Sequence, residues 1–525
     1  MMKQREYTVI ACCRDDLRSI ERELKNESCC DHVPDRCVKV CNPRMGSRIQ
    51  THFMLTDQEA QQLKNDPRVR AAEIPVEHRT DIEIGISSVQ RGRFHRSSTF
   101  DDTTVNWGLL RCNNKQNTYS DSISSTDVFE YAMTGKNVDV VIQDSGIEPD
   151  HPEWRDTAGV SRLKRINWYT QSGLPGSQHA NHYKDTDGHG THVASTACGE
   201  IYGWAKEANI YSQKLAGLEG PGDSGTGISI ADAFDTIRLW HRAKNGTRPT
   251  VVNMSWGYST SRSSDPTVGT YRGTGWQYDV DYSTSADLWE NVGIVSPING
   301  TRRIPVRVES VDAEIDDMIQ DGIHVIIAAG NDYYKGDVSS GDDYDNTIEF
   351  TGSTTPLYYH RGSSPSSDQA YIVGNIDSDV SLSGSDYLDK PSSSSSRGPR
   401  CNIWSPGTDI VAATSNTNGY SSTSTSEYPT SSAHKIAQLT GTSMAAPQIA
   451  GQLALHLQAF PEASPAQLMS RVLSDTQPVI YNTNVDDDYD NYETSLLGSP
   501  NTMMWNRYGR QKMQVTNTTD LINIT

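Results

Sequence analysis

Along the first 80 residues, apolar positions alternate in some stretches and recur at helical spacing in others. Tyr7, Val9 and Ala11 alternate as in a strand, and Leu17, Ile20 and Leu24 follow at helical spacing behind Asp15 and Asp16, whose charges suit a helix N-terminus. Residues 37–40 and 49–55 alternate around a turn region at Asn42-Pro43. Thr56 and Glu59 make a capping box ahead of Ala60 and Leu63, and Pro67 ends that helix before a last strand at 69–76. The order β-α-β-β-α-β is that of the ferredoxin-like α+β fold. Over 81–104 the periodicity stops and Arg91, Arg93 and Arg96 stand among serines, which predicts an exposed linker open to processing.

Beyond the linker the apolar runs are short. The longest, such as 323–330, are strand-sized, far below the roughly 18–20 residues of a membrane span. The start, Met1 to Cys13, lacks a small-residue cleavage site and does not read as a secretory signal, so the compartment stays open. The 525 residues carry 46 Lys and Arg against 66 Asp and Glu, a formal charge of −20, which opposes binding to nucleic acid or to anionic membranes. Residues 1–80 hold 14 basic against 13 acidic side chains, so the negative charge belongs to the rest of the chain. Six of the nine cysteines lie in the first 41 residues, four of them in two adjacent pairs that do not follow zinc-ribbon spacing. Free thiols are the expectation, with disulfides and a metal left open.

Three short motifs carry chemistry. The run Val138 to Ile142 ends in Asp144-Ser145-Gly146, which leaves a carboxylate at the carboxyl end of a strand, where open α/β sheets build their sites. Taken alone, Asp-Ser-Gly is an ordinary turn. Gly188-His189-Gly190-Thr191-His192 sets an imidazole, the natural base near neutral pH, between two glycines. A structural His is the plain alternative, and His179, His182, His189 and His192 beside Asp185 and Asp187 leave a metal reading open. Gly441-Thr442-Ser443-Met444-Ala445-Ala446-Pro447 puts a hydroxyl at the mouth of an Ala- and Leu-rich helix, where it is either a cap or a nucleophile.

In that chain order, Asp144, His189 and Ser443 with their surrounding motifs resemble the subtilisin family of serine proteases. The resemblance extends through Asn106-Trp107-Gly108-Leu109, His151-Pro152, Val252 to Gly257, Ala328-Ala329-Gly330-Asn331, Ser396 to Pro399 and Ser405-Pro406-Gly407, covering about residues 105–475. It implies a three-layer αβα domain with a mainly parallel sheet. It also implies an N-terminal domain that resembles the family's propeptide, assisting folding and inhibiting the enzyme from within the same chain. Ser443 becomes the nucleophile, His189 its base and Asp144 the orienting carboxylate, with Asn331 and the Ser443 N–H donating to the oxyanion. Gly225-Thr226-Gly227 and Ser255-Trp256-Gly257 match the segments that flank an extended protein or peptide substrate. Trp256 stands where a smaller apolar residue is usual, which means a narrowed primary pocket, a preference for aromatic and apolar partners, or plain core packing.

The chain departs from the family in three places. Residues 259–305, rich in Ser, Thr, Tyr and Asp, read as surface insertions without assignable chemistry. The run after His192 lacks the extended calcium loop of subtilisin and looks more like the proteinase K branch. The chemistry requires no cofactor, and a structural calcium ion stays unplaced, with Glu153 and Asp486-Asp487-Asp488-Tyr489-Asp490 as oxygen donors. Residues 476–525 read as an acidic extension without a motif. Two other functions are distinguishable. A scaffold that keeps the fold without its chemistry would be expected to have lost a triad member, and none is lost. Metal-dependent hydrolysis through the histidines would stop on chelation and survive Ser443→Ala.

Overall fold

The computed structural model describes residues 3–509 apart from short internal stretches, of which 75–87 is the longest. The chain divides into two units, 1–85 and 86–525. The first contains β1 (Arg5–Ala11), α1 (Arg14–Lys25), β2 (Val40–Asn42), β3 (Gln50–Leu55), α2 (Asp57–Leu63) and β4 (Val69–Glu73). Its sheet is antiparallel in the order β2-β3-β1-β4, the ferredoxin-like arrangement. Val9, Ile20, Leu24, Phe53 and Leu55 are fully buried in its core. Thr56 and Glu59 form a reciprocal capping box, and the Cys13 thiol caps α1 by accepting from Asp16 N–H. The second strand starts at Val40 instead of residue 37, because Val38 N–H and the Cys37 thiol donate to Leu24 and Lys25 carbonyls at the end of α1. Cys12, Cys13 and Cys37 are exposed free thiols, whereas Cys29 and Cys30 lie outside the described residues.

Part of the expected linker is strand. Ser88–Arg91 pairs antiparallel with Val128–Tyr131, and Arg93–His95 pairs with Thr104–Val105 and Ser124–Ser125. A processing site within 81–87 or 96–99 lies outside the described residues.

The second unit is built on an eight-stranded sheet. Its centre runs in the order Asn209–Lys214, Asp139–Asp144, Thr250–Met254, His324–Ala328, Tyr371–Ser383, all parallel. Val140, Val251, Val252, Ile326 and Val373 are fully buried, as expected for strands covered on both faces. Successive side chains point to opposite faces. Gln143 meets Gln213, which bonds to Ala233 and Thr236 on the helix Ile230–Ala243, while Asp144 meets the helix His189–Cys198 on the other side. Helices on both faces of a mainly parallel sheet make the three-layer αβα domain. On the Asp144 side, the helix His189–Cys198 packs along the helix Thr442–Ala459, so closely that a Cβ on Gly451 would lie 2.5 Å from Ala197 O.

Two segments differ from the sequence expectation. Residues 259–305 form strands and the helix Ser285–Val292, and Trp276, Leu288, Val292, Ile294 and Ile304 share a separate core with Tyr334, Ile348, Phe350 and Tyr359. Residues 476–509, expected as an extension, instead complete the main core: Leu496, Met503 and Met504 are buried there, and Met503 bridges to both Gln477 and Trp404. Among the described residues, no helix is long and apolar enough to cross a membrane.

Candidate active site

The carboxyl edge of the parallel sheet gathers the predicted residues. Asp144 ends its strand, Ser255 follows the strand Thr250–Met254, and Asn331 follows His324–Ala328, three neighbouring strands in order. His189 opens its helix at the same edge, with Gly188 at φ +90° in the turn before it. A side chain on Gly188 would be strained there and would strike Thr414 Oγ1 at 2.5 Å.

His189 Nδ1 lies 2.8 Å from the buried Asp144 Oδ1, which also accepts from Ser145 N–H at 2.7 Å. Burial opposes the charged imidazole, but the charge of Asp144, its hydrogen bond, and the charges of Asp187 and Asp185 outweigh that and raise its pKa to about 9. Sequence reading gave Asp185 no role beyond an open metal cluster, and Ser145 none. Asp185 is buried, and it accepts from Ser145 Oγ (3.0 Å), Gly188 N–H (2.9 Å), and the N–H (2.9 Å) and hydroxyl of Thr191. Ser145 Oγ in turn accepts from Gly190 N–H at 2.9 Å. These bonds tie the first turn of the His189 helix to the end of the Asp144 strand.

Ser443 is the second residue of the helix Thr442–Ala459, so its N–H is one of the first-turn donors that have no acceptor within the helix. Pro447, four residues on, has no N–H to give to Ser443 O. That carbonyl instead accepts from Ser255 Oγ (2.9 Å), which accepts from Asn253 Nδ2 (2.9 Å), and the Ser443 hydroxyl donates to Ser255 O at 3.1 Å. The hydroxyl thus faces the strand end. Asn331 Oδ1 accepts from the N–H (2.8 Å) and hydroxyl (3.0 Å) of Thr442. An N–H donor requires the oxygen of the amide, so Nδ2, on the Gly441 side, is the donor without a partner among the described residues.

The other predicted residues lie on the same edge. Gly225-Thr226-Gly227 follows the strand Asn209–Lys214, where Thr226 O faces His182 Nδ1 at 3.3 Å and Gly227 N–H donates to Glu219 at 2.8 Å. Trp256 is half-buried, donates its indole N–H to Gln143 at 3.2 Å and meets Tyr258 edge to face. Gly257 is exposed, with Ser363 close against its backbone.

The histidine cluster separates in space. His182 accepts from Lys214 N–H, His192 reaches the carbonyls of Ile410 and Ala437, and His179 accepts from Asn181 N–H. Among the described residues, no group of three or more His, Cys, Asp or Glu is placed to hold a metal. Glu153 does not fit a calcium ion: its oxygens accept from Ser195 Oγ, the N–H groups of Ile201 and Tyr202, and Tyr428 OH. Of the acidic run, Asp486, Asp487, Asp488 and Asp490 lie outside the described residues.

An imidazole held by a carboxylate, on the same sheet edge as a serine whose N–H and the nearby Asn331 Nδ2 have no partner among the described residues, is equipped for acyl transfer to a serine. The fold and site therefore define the class as a serine hydrolase. Residues 135–502, more than half of the chain, match the model of the subtilase family, and the chain belongs to that family and is a serine-type endopeptidase. It is similar to the extracellular serine proteinase of a Thermus species, 24% identical over 417 residues, covering 79% of this chain and 68% of that protein. It is also similar to subtilisin-like protease 10 of Arthroderma otae, 25% identical over 359 residues and covering 68% of this chain but 60% of that protein. A solved structure, that of a cold adapted subtilisin-like serine proteinase, aligns with 20% identity and a TM-score of 0.45 over 78% of this chain and 99% of its own.

Proposed function

We propose that the chain hydrolyses peptide bonds in extended or unfolded protein segments through an acyl-enzyme on Ser443, and that it cuts off its own N-terminal unit, which serves as an intramolecular chaperone and inhibitor. The contact between His189 Nδ1 and Asp144 Oδ1 carries the reading, since it fixes the imidazole and leaves Nε2, without a partner among the described residues, to take a proton. In the reaction the Ser443 hydroxyl leaves Ser255 O, gives its proton to His189 Nε2 and attacks the carbonyl carbon. The imidazolium is stabilised by Asp144 and then protonates the leaving amine. Negative charge on the former carbonyl oxygen is met by Asn331 Nδ2 and Ser443 N–H, and loss of one such donor typically costs roughly 10²–10³ in kcat. The substrate backbone lies between Gly225-Thr226-Gly227 and Ser255-Trp256-Gly257 as an added strand, which requires Glu219 to release Gly227 N–H.

The test compares wild type with Ser443→Ala by intact mass and by reaction with a serine-directed fluorophosphonate and an unfolded protein. Wild type is expected to lose an N-terminal segment ending somewhere in 81–104, to label at Ser443 and to digest the protein, and the variant to do none of these. Two full-length, unlabelled, folded proteins would overturn the reading.

A further inference from the structure

Lysine side chains are rarely buried completely unless a charge pairs with them. Lys214, the last residue of the strand Asn209–Lys214, is buried in this way. Its backbone pairs in parallel register with Asp144, and the next N–H, that of Leu215, donates to Asp144 O at 3.0 Å. Lys214 therefore stands at the edge of the sheet that carries the site. Its ammonium donates to the carboxylate of Asp223, itself buried, and to the carbonyl of Lys184. If packing alone mattered here, an apolar side chain would fill the place without the desolvation of two ions.

The two acceptors belong to different parts of the site. Lys184 directly precedes Asp185, whose carboxylate holds the first turn of the His189 helix. Asp223 lies two positions before Gly225, and its carbonyl accepts from Thr226 Oγ1 at 2.9 Å. A second connection runs through His182. Lys214 N–H donates to His182 Nε2 at 3.2 Å, which puts the ring proton on Nδ1, 3.3 Å from Thr226 O. The side chain and the backbone of Lys214 thus both lead to Thr226, one through its hydroxyl and the other through its carbonyl. Without the ammonium, the Asp223 carboxylate would be buried with no counter-ion and would move toward water, drawing Thr226 with it. Glu219, by contrast, is half-buried and bonds to Gly227 N–H, so its release on substrate entry leaves both connections to Thr226 intact.

We propose that Lys214 is a positioning residue for extended substrates: by holding Asp223 and Lys184 O together, its ammonium sets Gly225-Thr226-Gly227 in place relative to the His189 helix before a substrate arrives. The proposal rests on the readings of Ser443 as nucleophile and of Gly225-Thr226-Gly227 as a segment that pairs with substrate. To test it, full-length wild type, Lys214→Met and the double variant Lys214→Met with Asp223→Asn are titrated with fluorophosphonate. Then kcat/KM per labelled site is measured on two esters that share a leaving group and the residue at the cut. One carries a single acetylated residue, and the other carries four residues before the cut, long enough to reach Gly225-Thr226-Gly227. Contacts remote from the reacting bond should make the longer ester about a hundredfold better for wild type. In both variants that gain is expected to shrink about tenfold, while the short ester and the rate of labelling change by less than about threefold. If the stranded Asp223 charge keeps Lys214→Met from folding, the double variant, which leaves neither charge of the pair, carries the test. Equal losses on the two esters would mean that Lys214 serves the fold alone, and an undiminished gain would mean that the segment needs no clamp; either result overturns the proposal. A wild type that labels but gains nothing from the longer ester overturns the reading of the substrate segment, and the role of Lys214 with it. A wild type that neither labels nor cleaves overturns the reading of Ser443 instead.

Discussion

His189 is subject to opposing influences whose balance sets the working pH. Burial favours the neutral ring, the charges of Asp144, Asp187 and Asp185 favour the cation, and the pKa settles at about 9, above the roughly 6.5 of a free histidine. Only the neutral ring can take the Ser443 proton, so kcat/KM is expected to rise with pH through an ionisation near 9. Asp144→Asn removes the nearest charge. The ascending limb then moves toward acid while kcat drops by about 10⁴, and pH–rate profiles on titrated enzyme check both. The same pair affects stability with a definite sign. A raised folded-state pKa contributes stability that is fully present below about 6.5 and lost as pH rises through about 9. The Tm difference between wild type and Asp144→Asn should therefore shrink across that window. A constant difference would mean that the pair does not stabilise the fold by its charge.

Each catalytic helix holds, within its first two turns, a residue that looks wrong for a helix and is explained by the strand end beneath it. Pro447 removes an N–H and frees Ser443 O for Ser255. Gly190 is a poor helix former, yet a Cβ there would lie 2.2 Å from Gly146 O, so glycine lets the His189 helix rest on the turn after Asp144. Gly190→Ala is expected to push that helix off the strand end, costing about 1–3 kcal/mol in stability. The fall in kcat should exceed tenfold, because the distance between His189 and Asp144 changes with it. Denaturant melts and kcat on one preparation separate the two effects. Both residues stand inside the motifs that made the site legible, since the glycines, the proline and the three reacting side chains lie in short contiguous strings. Ser145 lies in one of those strings and Asp185 just ahead of another, but the bonds they make between strand end and helix depend on a fold that contiguity does not show.

At the scale of the molecule, what the sequence conceals is where the cores end. Local periodicity was sufficient for the N-terminal unit, whose capping box and alternating strands are short-range features. The insertion and the last described segment lack periodicity because they bury isolated side chains against distant partners. Trp276 and Leu288 pack with Tyr334 and Tyr359, and Met503 packs beside Trp404 and the ends of the main sheet. The C-terminal segment also acts through its backbone: Trp404 and Thr502, then Met504 and Trp404, exchange hydrogen bonds of 3.0 and 2.8 Å, and Asn506 N–H donates to Cys112 O at 2.7 Å. Its removal would leave these groups unpaired as well as opening the core around Leu496, Met503 and Met504. Hence a chain ending after Asp475 is expected to give no soluble, cooperatively unfolding protein. Met503→Ala, within the intact length, should cost about 2–5 kcal/mol in a denaturant melt. If the chain ending after Asp475 instead folds with an unchanged melt, the segment is an appendage after all and the main core closes without it.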